Sequence, residues 1–172
     1  MCKSLEDKDI NNDKSIKALK QVLFGEKLSY EFKNIEENKL GKTKGQLVGG
    51  NLTLIHCLIG SKSSINTDNK ILFIEDLGEY LYHIDRMLVS LKRAGYFDKC
   101  KGLIVGDFSD LRKNTTPFGK NLKQIILDAV KDFDFPVLFE FPAGHEKLNM
   151  PLILGREIIM DIKSSTSSIE FL

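Results

Sequence analysis

Tryptophan does not occur in this chain, cysteine and histidine occur three times each, and the charges almost cancel at a formal net +1. Near-neutrality argues against a nucleic-acid footprint, which needs Lys and Arg clustered on one face. The nearest approach to such a cluster, Lys39, Lys42 and Lys44 in "KLGKTKG", reads as a solvated loop. No apolar run approaches the ~20 residues that a membrane-spanning helix needs. The opening "MCKSLEDKDINNDKS" has no apolar h-region, so no secretory signal is expected. Cys2, Cys57 and Cys100 are odd in number and lack metal-type spacing, which predicts a reducing compartment, taken as the cytoplasm. Cys57 lies in an apolar run and is expected in the core. The absence with most consequence is chemical. There is no Gly-x-Ser-x-Gly elbow, and Ser61, Ser63, Ser64, Ser90 and Ser109 lie in polar loops or on helix surfaces, without a strained turn to activate them.

What is present fits an ordinary globular domain: 172 residues, 42% hydrophobic and 28% charged, without internal repeats or low-complexity tracts. Asn12 or Asp13 could cap a helix over 15–24, ended by Gly25, and Leu28–Phe32 alternates like an edge strand. The stretch "NIEENKLGKTKG" reads as loop. Gly49, Gly50 and Asn51 then read as a turn leading into an apolar helix capped by Asn51. Ile71–Ile74 is a buried strand that hands over to Glu75 and Asp76. Leu81, Ile84, Met87, Leu88 and Leu91 recur at helical spacing over 79–94. Gly102–Phe108 is a second buried strand, a helix is expected from Thr115, Thr116 and Pro117, and Phe135–Phe139 is a third strand. Leu152–Leu154, Glu157–Ile162 and Ser168–Phe171 read as closing strands. Strand–helix–strand–helix–strand predicts an α/β fold with parallel strands and right-handed crossover helices, followed by a β-rich tail.

Functional groups in open α/β sheets gather beyond the carboxyl ends of the strands. Glu75, Asp76, Asp107 and the loop "FPAGHEK" with His145 all fall at such ends. Carboxylates and one imidazole on one rim suit a histidine base oriented by an acid. A zinc site fits less well, because only one of the three histidines lies there. Plainer roles exist for each residue. Glu75 and Asp76 could cap the helix that follows, and Glu79 could be a first-turn helix carboxylate. His83 reads as surface or half-buried, His56 as a satisfied core histidine, and Asp85 with Arg86 as an exposed pair or an anion-reaching guanidinium. Read from its residues, the chain has a base and an orienting acid but no attacking group.

Four stretches, "GQLVGGNLTLIHCLIG", "ILFIEDLGEYLYHIDRMLVSLKRAGYF", "KGLIVGDF" and "PAGHEKLNMPLILG", resemble in this order the C-terminal domain of LD-carboxypeptidases, the murein tetrapeptide carboxypeptidases. The likeness covers roughly 19–172. It implies a swivelling β/β/α domain over 14–172, preceded over 1–13 by a flexible remnant of an interdomain linker, with Met1 matching a linker methionine. It further implies a serine peptidase with a Ser-Glu-His triad, in which Glu75 is the glutamate and His145 the histidine. The serine would sit in a Rossmann-like N-terminal domain that this chain lacks. Such enzymes release terminal D-alanine from cytoplasmic muropeptides during peptidoglycan recycling, need neither metal nor cofactor, and commonly form homodimers. The chain alone is therefore expected to be inactive, as a truncated or internally started frame would be. Two alternatives stay open. One is a self-immunity peptidase of the same family acting on peptidyl-nucleotide antibiotics, against which the lack of a tryptophan for base stacking counts. The other is a non-catalytic binding or dimerisation domain.

Overall fold

The computed structural model describes residues 10–113 and 115–172, the side chains of Asn11 and Asn12 excepted. Of the flexible linker expected over 1–13, residues 1–9, with Met1 and Cys2, lie outside the described residues, as does a cap by the Asn12 side chain, whereas residues 10–13 form the first turn of a helix. In chain order the elements are α1 (Ile10–Leu23), β1 (Ser29–Lys33), β2 (Gly41–Asn51), α2 (Leu52–Cys57), β3 (Lys70–Leu77) and α3 (Leu81–Arg93). These are followed by β4 (Gly102–Ser109), α4 (Leu122–Val130), β5 (Val137–Leu138), β6 (Glu157–Ile162) and β7 (Thr166–Phe171). All seven strands form one mixed sheet in the order β1-β7-β6-β2-β3-β4-β5. Strands β2 to β5 run parallel, with α2, α3 and α4 between successive strands, as the predicted α/β pattern requires. The remaining pairs are antiparallel.

Both faces of the parallel half are buried, which is why its strands read as continuous apolar runs. Along β3, Leu72 and Ile74 face a core built with α2, α3 and α4, through Leu52, Ile55, Ile84, Leu88 and Ile126. The alternate residues Ile71 and Phe73 face a second core with Leu47 of β2 and with Ile158, Met160, Ile169 and Phe171 from the antiparallel half. The ring of Tyr30 on one edge strand lies 5.4 Å from that of Phe141, just past the opposite edge strand. The sheet therefore curls around this second core. Burying each such aliphatic side chain contributes about 1.5–3 kcal/mol. Among the described residues no helix is long and apolar enough to cross a membrane.

Several sequence expectations need correction. The stretch expected as loop supplies the first half of β2: Lys42 and Lys44 alternate outward and pair with Asp161 and Glu157 of β6 at 3.6 and 3.0 Å. A strand with one solvated face has the composition of a loop, and here the period of two was the informative signal. Gly49 and Gly50 are not a turn but part of β2. At Gly49 (φ +133°) a Cβ would stand 1.9 Å from the Phe73 carbonyl oxygen, so only glycine allows β2 to pair with β3 there. Helix α1 starts at Ile10, which places Asp13 inside it rather than at its cap. Helix α4 starts after Asn121, not at Pro117, because Asn121 and Gln124 form a reciprocal capping box. Strand β5 keeps only Val137 and Leu138, and Leu152–Leu154 is no strand, although Leu152 and Ile153 still pack on the second core. Cys57 is exposed, since α2 turns Leu52 and Ile55 inward. Cys100 is the buried cysteine, and burial raises the pKa of its thiol.

Two outcomes follow. Gly49→Ala should lower unfolding stability by roughly 3 kcal/mol or more, read as a reduced urea midpoint. Iodoacetamide should alkylate Cys57 in the native protein and Cys100 only after denaturation, as read by peptide mass spectrometry.

Candidate active site

Side-chain alternation along β3 sorts the two acids at its end. Glu75 continues the side of Ile71 and Phe73, and Asp76 continues the side of Leu72 and Ile74. Both are buried, at 8% and 3% exposure. Asp76 faces α2, where its carboxylate accepts from Thr53 N–H (3.0 Å), Thr53 Oγ1–H (2.8 Å) and Asn51 Nδ2–H (2.9 Å). Asn51 Oδ1 in turn accepts from Leu54 N–H at 3.1 Å and completes the cap of α2. The capping role considered for these acids therefore belongs to Asp76, but for the helix before it in the chain. The helix after it, α3, has no side-chain cap.

Glu75 meets His145: Oε2 lies 2.8 Å from Nδ1, with the imidazole side chain 32% exposed. A β-bulge makes the meeting possible. Ile74 pairs with Val105 and Asp76 with Phe108, so Gly106 and Asp107 of β4 stand opposite the single Glu75. The bulge frees Asp107 N–H to donate to the Ala143 carbonyl at 2.9 Å, and Phe141 N–H donates to Val105 O at 3.0 Å. The chain after β5 is thereby laid along β4 up to the histidine. At Gly144 (φ +147°) a Cβ would sit 2.9 Å from the Asp107 Cβ and 3.3 Å from Glu75 Oε2. A side chain at this position would intrude between the acid and the imidazole.

A cleft of about 290 Å³ opens over the pair, lined by Phe73, Glu75, Ala143, His145, Met150 and Leu152. It offers an imidazole nitrogen that is not engaged by Glu75, set against an apolar wall. With Nδ1 held by the carboxylate, Nε2 is placed to accept a proton from a group entering the cleft. Asp107, the third rim acid, lies beside Gly144, and its Oδ2 is buried without a hydrogen-bond partner among the described residues.

The other candidates fall elsewhere. Glu79 precedes α3 and its Oε2 lies 2.8 Å from His83 Nδ1, with Thr53, His56, Arg86 and Met87 around the same α2–α3 groove. His56 is half-buried at that groove rather than a core residue. Arg86 lies over the Tyr82 ring at 5.1 Å. Among the described residues no three His, Cys, Asp or Glu side chains gather as a metal site. Sequence reasoning missed Asn149, whose side chain bonds Gly144 through both its oxygen and its nitrogen, and Ser15 and Tyr30, which hold the same loop from afar. The separations of 134 and 121 residues leave no local signal for the last two.

Comparison with known proteins adds an independent line. A family profile described as the LD-carboxypeptidase C-terminal domain matches residues 44–160. A Bacillus subtilis protein named "Probable murein peptide carboxypeptidase" is 35% identical over 130 residues, covering 76% of this chain and 41% of that protein. The Escherichia coli microcin C7 self-immunity protein MccF is 28% identical over 190 residues, covering 94% of this chain and 53% of that protein. The crystal structure of muramoyltetrapeptide carboxypeptidase from Oxalobacter formigenes shares the fold, with a TM-score of 0.83 at 24% identity, over 91% of this chain and 53% of its own. The chain thus spans about two fifths to one half of the length of these proteins.

The division of labour between the two acids is open to measurement by urea unfolding. Asp76→Ala should cost roughly 2–4 kcal/mol, because it strands the donors of Thr53 and Asn51. Glu75→Gln, which keeps an oxygen facing His145, should stay within about 1 kcal/mol.

Proposed function

The chain belongs to the LD-carboxypeptidase family, as its C-terminal domain, and on that premise we propose that it carries the histidine–glutamate half of a serine-peptidase site. The observation that carries this reading is the 2.8 Å contact between His145 Nδ1 and Glu75 Oε2 at the mouth of a cleft. Glu75 accepts the Nδ1–H hydrogen bond, which fixes the tautomer and stabilises the imidazolium that forms. Nε2 takes the proton of a serine hydroxyl as its oxygen attacks the scissile carbonyl, then returns that proton to the departing amine. Water repeats the sequence on the acyl-enzyme. The serine and the backbone donors for the oxyanion come from outside this chain.

The substrate proposed for the whole protein is a muropeptide ending in D-alanine, in keeping with the names of relatives. A cytoplasmic location and a homodimeric state belong to the same proposal and rest on the family alone. Hydrolysis of a peptidyl-nucleotide by the same machinery is a second reading, supported by similarity to the self-immunity protein along 94% of this chain.

The test compares the 172-residue chain with the full-length protein that includes the serine domain. The chain alone should release no D-alanine from a muropeptide, and the full-length protein should release it. Glu75→Gln in the full-length protein should lower kcat/KM roughly 10⁴-fold, with a loss of similar size for His145→Ala. Activity retained by either variant would remove that residue from the site. Turnover of a peptidyl-nucleotide without D-alanine release would select the second reading.

A further inference from the structure

We propose that α1 and β1, which precede the family-matched residues 44–160, act as a positioning element for His145 through Ser15, Asn149 and Tyr30. The proposal rests on the reading of His145 as the general base. The loop that carries His145 runs from the end of β5 to the start of β6 without regular secondary structure. Its geometry must therefore come from specific hydrogen bonds rather than from a ladder.

Those bonds form a chain that begins in α1. The buried Ser15 Oγ accepts from Asn149 N–H at 3.0 Å. The Asn149 side chain then pairs with the peptide of Gly144 in both directions, with Gly144 N–H donating to Oδ1 at 3.2 Å and Nδ2–H donating to Gly144 O at 3.0 Å. Gly144 is the residue whose close approach to Asp107 and Glu75 sets where the next side chain, His145, begins. From β1, the Tyr30 hydroxyl donates to Pro151 O at 2.7 Å, and inside the loop Met150 N–H donates to Pro142 O at 2.7 Å. Groups that lie before residue 44 thus hold Asn149 and Pro151, after the histidine, and act on Gly144 and Pro142, before it, through the loop's own bonds.

The consequence is mechanical. A shift of α1 moves Ser15, which releases the backbone of Asn149, loosens the Gly144 peptide and swings the imbalance onto the His145–Glu75 contact. Displacements of about 1 Å at a reacting group carry rate effects near 100-fold. Ser15 and Tyr30 lie outside the cleft lining and Asn149 lines it; the role argued for all three is to hold the backbone that carries His145, which is positioning rather than catalysis.

The experiment uses the 172-residue chain with ¹⁵N-labelled histidine, with His145→Ala assigning the ring signals. In the parent, the Nδ1–H proton of His145 should be held by Glu75 and slow to exchange with water. Ser15→Ala and Asn149→Ala should each speed that exchange by about tenfold or more, or remove the signal, and leave His83 unchanged. Ser15→Ala raises helix propensity and so is the variant that keeps the fold. Val130→Ala, a cavity in the helix-side core away from the loop, is the control for destabilisation alone and should leave His145 exchange as in the parent. Exchange within twofold of the parent in folded Ser15→Ala and Asn149→Ala would overturn the proposal, as would equal acceleration in Val130→Ala. In the full-length protein Ser15→Ala should lower kcat with little change in KM. If the unmodified full-length protein releases no D-alanine, the peptidase reading fails, while the exchange measurements still decide whether α1 positions the histidine.

Discussion

The alternation of side chains along β3 is the constraint on which the rest of the structure depends. One strand buries both faces, so its successive residues must serve two cores, and the alternation continues past the last apolar residue. Two adjacent acids are thereby sent to opposite sides of the sheet. Asp76 becomes the anchor of α2 through three donors from Asn51 and Thr53. Glu75 becomes the partner of an imidazole. Neither carboxylate is left buried without a partner, which matters because an unpaired buried charge would cost several kcal/mol.

The second requirement is to bring His145 to Glu75 across an irregular loop. The bulge in β4 meets half of it by freeing a backbone donor for Ala143. Asn149 meets the other half by closing on the Gly144 peptide. Both devices exploit the same fact, that an irregular backbone stays in place only when its polar groups find partners elsewhere. The aromatic cluster of Tyr30, Phe73 and Phe141 packs beneath this loop and ties the curl of the sheet to the floor of the site.

An acid–imidazole pair in a cleft performs no hydrolysis by itself. The acid fixes which ring nitrogen carries the proton, and hydrolysis still needs a nucleophile for the other nitrogen to deprotonate. The chain spans about two fifths to one half of the length of the related proteins it matches. The Glu79–His83 contact in the α2–α3 groove has the same 2.8 Å geometry as the Glu75–His145 contact. What separates the two is setting. His83 on α3 lies four residues from Glu79, just before that helix, whereas His145 is brought 70 residues along the chain to Glu75 at a strand end.

Much of the parallel half was legible in the sequence, because its strands are fully buried and its α3 helix is strongly amphipathic. Those patterns, with the acids and the histidine after strand ends, and the likeness of four motifs to LD-carboxypeptidases, placed Glu75 and His145 on one rim. The first half of β2 and the true start of α4 were misread, since a half-solvated lysine-rich strand and a polar capped turn share the composition of loops. Local order thus determined the α/β class and put Glu75, Asp76, Asp107 and His145 on one rim, and the resemblance singled out Glu75 and His145 among them. Which of Glu75 and Asp76 meets His145, why glycine is needed at 49 and 144, and how Ser15 and Tyr30 hold a loop more than a hundred residues away were decided only by tertiary structure. The reason is that each depends on register, bulge and curl across the sheet, and these bring together groups that no local window of sequence contains.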